Sequence, residues 1–304
     1  MKRTIRAVAA AATQLARNQV DLLYGLRDRA YRLRHAPPTV LSIDETLRRI
    51  VCDKCSASRF GNTEIILIAG KNEPRYQDYS PCISQKLREV LGSDEPGHLV
   101  CLSPVFGDNA ALVQDSRRYW QQHLSRFRKT WYEHLLPGKD YGNTFVSRFY
   151  MTIQDKSKTG ARYELWKTLW QGRDLVFVEG EKSRMGVGND LFAGARSISR
   201  ILGPATNAFS QYDRLLAAAL KFSRDHLFLL ALGPTATVLS LDLHRRGYHA
   251  IDIGHIDVEY EWFRRGVTRK EPLKFKYVNE AEAGDQVEDS TDSAYLSQIA
   301  ARIV

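Results

Sequence analysis

The sequence predicts an α/β fold, a mainly parallel sheet flanked by helices, and three stretches carry that prediction. Residues 227–232 (LFLLAL) form an uninterrupted apolar run of strand length, as expected where helices cover both faces of a sheet. Gly233-Pro234 ends the run and opens a helix in which Ala236, Leu239 and Leu243 recur at helical spacing until Gly247. A second strand over 248–253 completes a β-α-β crossover, and 174–178 (DLVFV) repeats the buried-strand signature upstream. Strands and helices alternate from about residue 58 to 260, the pattern of a parallel sheet.

The chain divides into a basic arm over 1–38, a main domain over 39–280 and an acidic linker with a short tail over 281–304. Residues 3–34 read as one amphipathic helix with Ile5, Val8, Ala12, Leu15, Leu22, Leu26 and Leu33 on a near-heptad stripe, interrupted at Gln19 and Arg29. Residues 1–35 hold eight Lys/Arg against Asp21 and Asp28, so six of the nine net positive charges sit in this arm. Three readings fit: a helix docked on its own domain, a dimerisation arm, or a surface that touches anionic lipid. The remaining chain is nearly balanced in charge, which argues against nucleic-acid binding. The Ala-rich stretch after Lys2-Arg3 is too short and weakly apolar for a signal peptide, and no run approaches the ~20 apolar residues of a membrane span. Four unevenly spaced cysteines point to a reducing, cytoplasmic setting, and Cys52-x-x-Cys55 has no second pair to complete a zinc site.

His35-Ala-Pro-Pro breaks the arm, and Ser42-x-x-Glu45 is a capping box for the next helix. Residues 59–64 (RFGNTE) lead into apolar IILIAG; Asn62 and Glu64 could offer oxygens to a divalent cation, or simply begin a helix. A helix is expected over 81–92, a strand over 98–103, a long helix from Asp115 to about Leu136, and a strand over 141–150 whose end presents Arg148. The strand at 174–178 exits into a loop carrying Lys182, Arg184, Gly186, Gly188 and Asn189, which resembles a phosphate cradle leading into a helix. The Gly233-Pro234-Thr235 turn would aim backbone N–H groups and the Thr235 and Thr237 hydroxyls at an anion. His255, Asp257 and Glu259 share a face if extended, whereas only His255 and Glu259 do so if helical. The tail over 294–304 is expected to form a short helix. On physical grounds alone, this is an enzyme that handles a phosphorylated or nucleotide ligand.

Taken in order, RFGNTE (59–64), YQDY (76–79), YGNTFVSR (141–148), VEGEKSRMGVGNDLF (178–192), ALGPTAT (231–237) and DIGHIDVEY (252–260) resemble the bacterial glycosyltransferases of the GT-D fold, named for an Asp-x-Glu metal motif. The resemblance implies a Rossmann-like domain, a nucleotide-sugar donor (usually a UDP-hexose), a divalent cation such as Mn²⁺ or Mg²⁺, and hexose transfer to a growing glycan or lipid-linked glycan of the bacterial surface. The metal motif falls on Asn62-Thr63-Glu64, so an amide stands where the family has its first carboxylate. Arg59, the 182–189 loop and Gly233, Thr235 and Thr237 would serve the donor, and His255, Asp257 or Glu259 would serve as the general base. Two other functions stay open: a catalytically silent binding subunit, motivated by Asn62, and an unrelated nucleotide- or sugar-phosphate-binding enzyme.

Overall fold

The protein is represented by a computed structural model that describes residues 23, 26–72, 76–107, 109–278, 281, 284 and 286–303. Its centre is a parallel sheet of nine strands among the described residues: β1 (Thr39–Val40), β2 (Ser56–Phe60), β3 (His98–Leu102), β4 (Asp140–Asn143), β5 (Asp174–Gly180), β6 (Ser197–Gly203), β7 (Leu227–Ala231), β8 (His249–Asp252) and β9 (Ile299–Arg302). Their spatial order is β1-β4-β3-β2-β8-β7-β5-β6-β9. After β2 the chain winds outward through β3 and β4, then crosses to build the other half, so β8 closes the middle beside β2. Such a reversal opens a crevice at the carboxyl edge, because neighbouring connections leave in opposite directions.

The helices follow their sequence signals closely. Helix α1 (Ile43–Val51) begins where the Ser42 hydroxyl accepts the Glu45 N–H at 3.0 Å, as the capping box requires. Next come α2 (Asn62–Ile68), α3 (Pro81–Leu91), α4 (Gln114–Tyr132), the single turn α5 (Phe149–Thr152), α6 (Thr159–Trp170), α7 (Tyr212–Ala219), α8 (Pro234–His244), α9 (Ile256–Arg265) and α10 (Ser293–Ser297). Helix α8 is buried almost throughout, between β2 and β8 on one side and α3 on the other. It can carry Ser240 there because that hydroxyl lies 2.8 Å from the Ala57 carbonyl and 2.9 Å from the Ala250 carbonyl. Trp166 and Trp170 of α6 stack at 5.8 Å, and both indole N–H groups donate to backbone carbonyls.

Three expectations are corrected. The stretch over 141–150 is a strand only as far as Asn143. The Asn143 side chain accepts the Phe145 N–H and starts a 3₁₀ turn over Thr144–Ser147, which sets Arg148 at the junction with α5. The loop after β5 enters no helix; it runs as successive turns to β6. The tail is helical only to Ser297, and β9 then pairs with β6 as an edge strand, its Arg302 in register with Leu202. Helix is present in the arm over 26–32, and the rest of the predicted arm helix lies outside the described residues. No described helix is long and apolar enough to cross a membrane.

Candidate active site

Because all strands are parallel, their carboxyl ends share one edge, and a cleft opens there across β2, β8, β7, β5 and β6. Three helices begin on its wall. Gly61 to Glu64 open α2, Gly233 and Pro234 open α8, and Gly254 and His255 open α9. Helix N-termini carry partial positive charge and orphan N–H groups, so a cleft lined by three of them favours an anion. Gly233 and Gly254 adopt φ of 54° and 50°, left-handed values that let each strand turn sharply into its helix. The other walls are Thr144 and Arg148 from the 3₁₀ turn, Gly180 and Ser183 after β5, 204–206 after β6, and Tyr76 and Tyr277.

At the floor, Arg59 from the end of β2 meets Asp252 from the end of β8, the Nη2–Oδ1 distance being 2.8 Å, with Asp252 buried and Arg59 nearly so. Arg59 Nε also donates to the Asp252 carbonyl at 2.7 Å, and Nη1 donates to the Ser147 hydroxyl at 2.9 Å. Any side chain at 254 would destroy this arrangement, since a Cβ there would lie 1.9 Å from Arg59 Nη2. Thr237 braces the pair from below, its hydroxyl 3.0 Å from the Arg59 carbonyl and 3.3 Å from Asp252 Oδ2. Burial raises the Asp252 carboxyl above its ordinary range, opposed chiefly by the Arg59 charge.

Glu64 stands beside this pair, 7% exposed, with Oε2 accepting the Gly61 N–H at 2.7 Å. Burial pushes its carboxyl up to about 7; the backbone hydrogen bonds oppose the rise and the nearby Asp252 adds to it. A cation in the cleft would relieve that cost, so the electrostatics at Glu64 fit one. The donor set is thin, however: no group of three or more His, Cys, Asp or Glu among the described residues is placed to hold a metal. Glu64 and the Asn62 amide oxygen would therefore share any divalent ion with oxygens of the bound ligand.

The remaining predicted site residues lie off the cleft. Arg184 is buried at φ 50°, donating to the carbonyls of Phe275 (3.1 Å) and Glu288, so it ties the loop to the C-terminal segment instead of facing a diphosphate. The Lys182 side chain does not line the cleft, but its carbonyl accepts the Tyr277 N–H at 2.9 Å and so helps place that residue on the wall. Gly186 and Gly188 are turn positions at φ 78° and 81°. Asn189 donates to Asp257 Oδ1 at 2.7 Å and to Glu261 Oε1 at 2.8 Å. Thr235 is fully buried, its hydroxyl 3.5 Å from Gln77 Oε1.

Of the three predicted acid–base residues, only His255 reaches the cleft. Residues 256–265 are helical, which turns Asp257 inward to a buried ion pair with Lys276 at 2.5 Å. Glu259 is fully buried, and its Oε2 accepts the N–H groups of Tyr150 (3.0 Å) and Met151 (2.9 Å). Its other oxygen lies 4.0 Å from Arg148 Nε, so Glu259 anchors the turn that carries Arg148 onto the wall. The predicted site omitted Asp252, Arg148, Ser183, Tyr76 and Tyr277. Asp252 had a legible signal, a carboxylate ending a strand two residues before a glycine; Tyr277 had none.

A parallel sheet whose carboxyl edge gathers helix N-termini and buried charges is the arrangement by which α/β proteins bind phosphate-bearing ligands. Comparison with known proteins makes the assignment specific. The chain belongs to the glycosyltransferase GT-D fold family, whose model matches residues 57–281. It is 42% identical over 266 residues to the probable glycosyl transferase Gly of Streptococcus gordonii and 41% identical over 266 residues to the glycosyltransferase GlyD of Streptococcus pneumoniae serotype 4. Each match covers 87% of this chain but only 39% and 32% of those longer proteins. Among solved structures, it is similar to a DUF1792 domain described as having a distinct glycosyltransferase fold, with TM-score 0.85 and 40% identity over 91% of this chain and 100% of that one. A DUF1792 glycosyltransferase from Streptococcus sanguinis gives TM-score 0.84 and 41% identity over 88% of this chain and 100% of that one.

Proposed function

We propose that the chain transfers a hexose from a UDP-sugar to a glycan or lipid-linked glycan of the bacterial surface, working in the cytoplasm. The observation that carries this reading is the convergence of three helix N-termini with Arg59 and Arg148 on one cleft of a GT-D-fold protein. In this reading the donor diphosphate lies against the openings of α8 and α9, where their N–H groups and Arg148 take up charge developing on the leaving nucleoside diphosphate. Arg59, locked by Asp252 and Ser147, keeps the floor rigid, which limits reorganisation during transfer. Glu64 and Asn62 would hold a divalent cation, sharing it with oxygens of the donor. When bound, the cation supplies further neutralisation of the leaving group. His255, on the cleft beside the opening of α9, accepts the proton of the acceptor hydroxyl.

A thermal-shift screen of nucleotide sugars with and without Mn²⁺ tests this, since ligands that bind the native state raise its stability. A UDP-hexose should raise Tm more than the corresponding GDP-sugar and more strongly with Mn²⁺, and should be turned over when a glycan acceptor is supplied. Absence of any shift with every UDP compound would refute the donor assignment. A shift without turnover of any acceptor would refute the catalytic one.

A further inference from the structure

The described part of the arm is docked on the main domain by one face only. Asp28 makes a bidentate pair with Arg128 of α4, at 2.5 Å to Nε and 3.2 Å to Nη2, and the side chains are 13% and 5% exposed. One turn further, Tyr31 meets Tyr132 edge to face at 5.5 Å, while His35 stacks on Tyr31 at 3.8 Å. At about 100° per residue, Asp28 and Tyr31 lie roughly 60° apart on the helix, and His35 follows just past its end.

The opposite sector is apolar and open. Leu23, Leu26 and Leu33 are 66%, 58% and 84% exposed, and with the exposed Ala30 they form one stripe centred about 150° from the docking face. Arg27 and Arg34 border the stripe on one side and Arg29 on the other, all three exposed. The largely buried Arg128–Asp28 pair fixes the rotation of the helix, so this stripe cannot roll inward to join the core.

We propose that this face binds the surface of an anionic lipid bilayer, with the leucines entering the boundary between headgroups and acyl chains and the arginines pairing with headgroup phosphates. An apolar stripe flanked by arginines is the pattern of an interfacial helix, and its charge complements an anionic leaflet. A second copy of the chain fits less well, because it would set one row of arginines against another. The inference rests on the arm alone and stands or falls independently of the donor assignment.

Co-sedimentation of the full chain with lipid vesicles tests it. The parent should pellet with vesicles containing phosphatidylglycerol and stay in solution with phosphatidylcholine alone. Replacing Arg27, Arg29 and Arg34 together by Gln should weaken binding by on the order of a hundredfold at low salt. Replacing Leu26 and Leu33 by Gln should weaken it at low and high salt alike. Both variants should keep the parent's thermal unfolding midpoint, since none of these side chains is buried. Pelleting unchanged in both variants, or no pelleting of the parent, would overturn the proposal. So would a concentration-dependent dimer of the parent that the leucine substitutions dissolve, since the face would then join two copies.

Discussion

Replacing Glu64 by Gln should remove a specific pH dependence of stability. The carboxyl titrates at about 7 in the folded chain against an ordinary 4.5, because burial disfavours its charged form more than neighbouring groups restore it. A carboxyl raised on folding favours the native state while protonated, so its contribution is complete below about 4.5 and is lost as the pH rises through about 7. At about 1.4 kcal/mol per tenfold change, that rise corresponds to about 3 kcal/mol. Gln keeps the shape and an oxygen for the Gly61 N–H but cannot ionise. Urea unfolding at about pH 4 and about pH 8 should therefore show the parent losing about 3 kcal/mol more than the variant between the two conditions. Parallel losses in the two proteins would refute the reasoning, because they would mean that Glu64 ionises in the fold as easily as in the open chain.

Three further substitutions separate support from chemistry. Glu259→Ala should destabilise the protein in urea unfolding by roughly 1–3 kcal/mol for each of the two N–H groups it leaves without an acceptor, with Tyr150 and Met151 as the groups concerned. Arg184→Ala should lower stability by about 1.5–3 kcal/mol, because the guanidinium is a buried tie to the Phe275 and Glu288 carbonyls; an unchanged urea midpoint would contradict that placement. His255→Ala should reduce kcat by about 10²–10⁴-fold while leaving UDP affinity near the parent's, and equal losses in kcat and UDP affinity would move the residue from proton transfer to donor binding.

Most of the sheet was legible because buried parallel strands are written as short apolar runs, and 174–178 and 227–232 both stand in the structure as read. Pro234 and Ser42 marked helix starts for local reasons that tertiary packing did not override. The 141–150 stretch misled because its aromatic and β-branched residues favour a strand, whereas the Asn143 side chain diverts the backbone into a turn. The tail misled in the opposite sense: IAAR pairs as an edge strand only because β6 offers it an open edge.

The gathering of these strand ends at one edge was legible, and the direction of their side chains was not. Strand-end motifs from β2, β7 and β8 do converge, since parallel topology carries every strand end to one edge. Which side chains face the cleft depends on single backbone torsions. Arg184 at φ 50° turns into the C-terminal segment, and Gly254 at φ 50° starts a helix that rotates Asp257 and Glu259 inward and leaves His255 on the wall. Arg148 reaches the cleft through a 3₁₀ turn that no spacing rule announced.

The central claim is that this cleft holds a nucleoside diphosphate, and UDP affinity in Arg148→Ala tests it most directly. Arg148 lies on the cleft wall with its side chain 27% exposed, so its loss should leave the fold intact. A charge-assisted contact to phosphate is worth about 1.5–3 kcal/mol, which corresponds to a loss of roughly 10- to 150-fold in affinity by calorimetry with Mn²⁺ present. UDP binding at the parent's affinity, in a variant with the parent's Tm, would contradict the account.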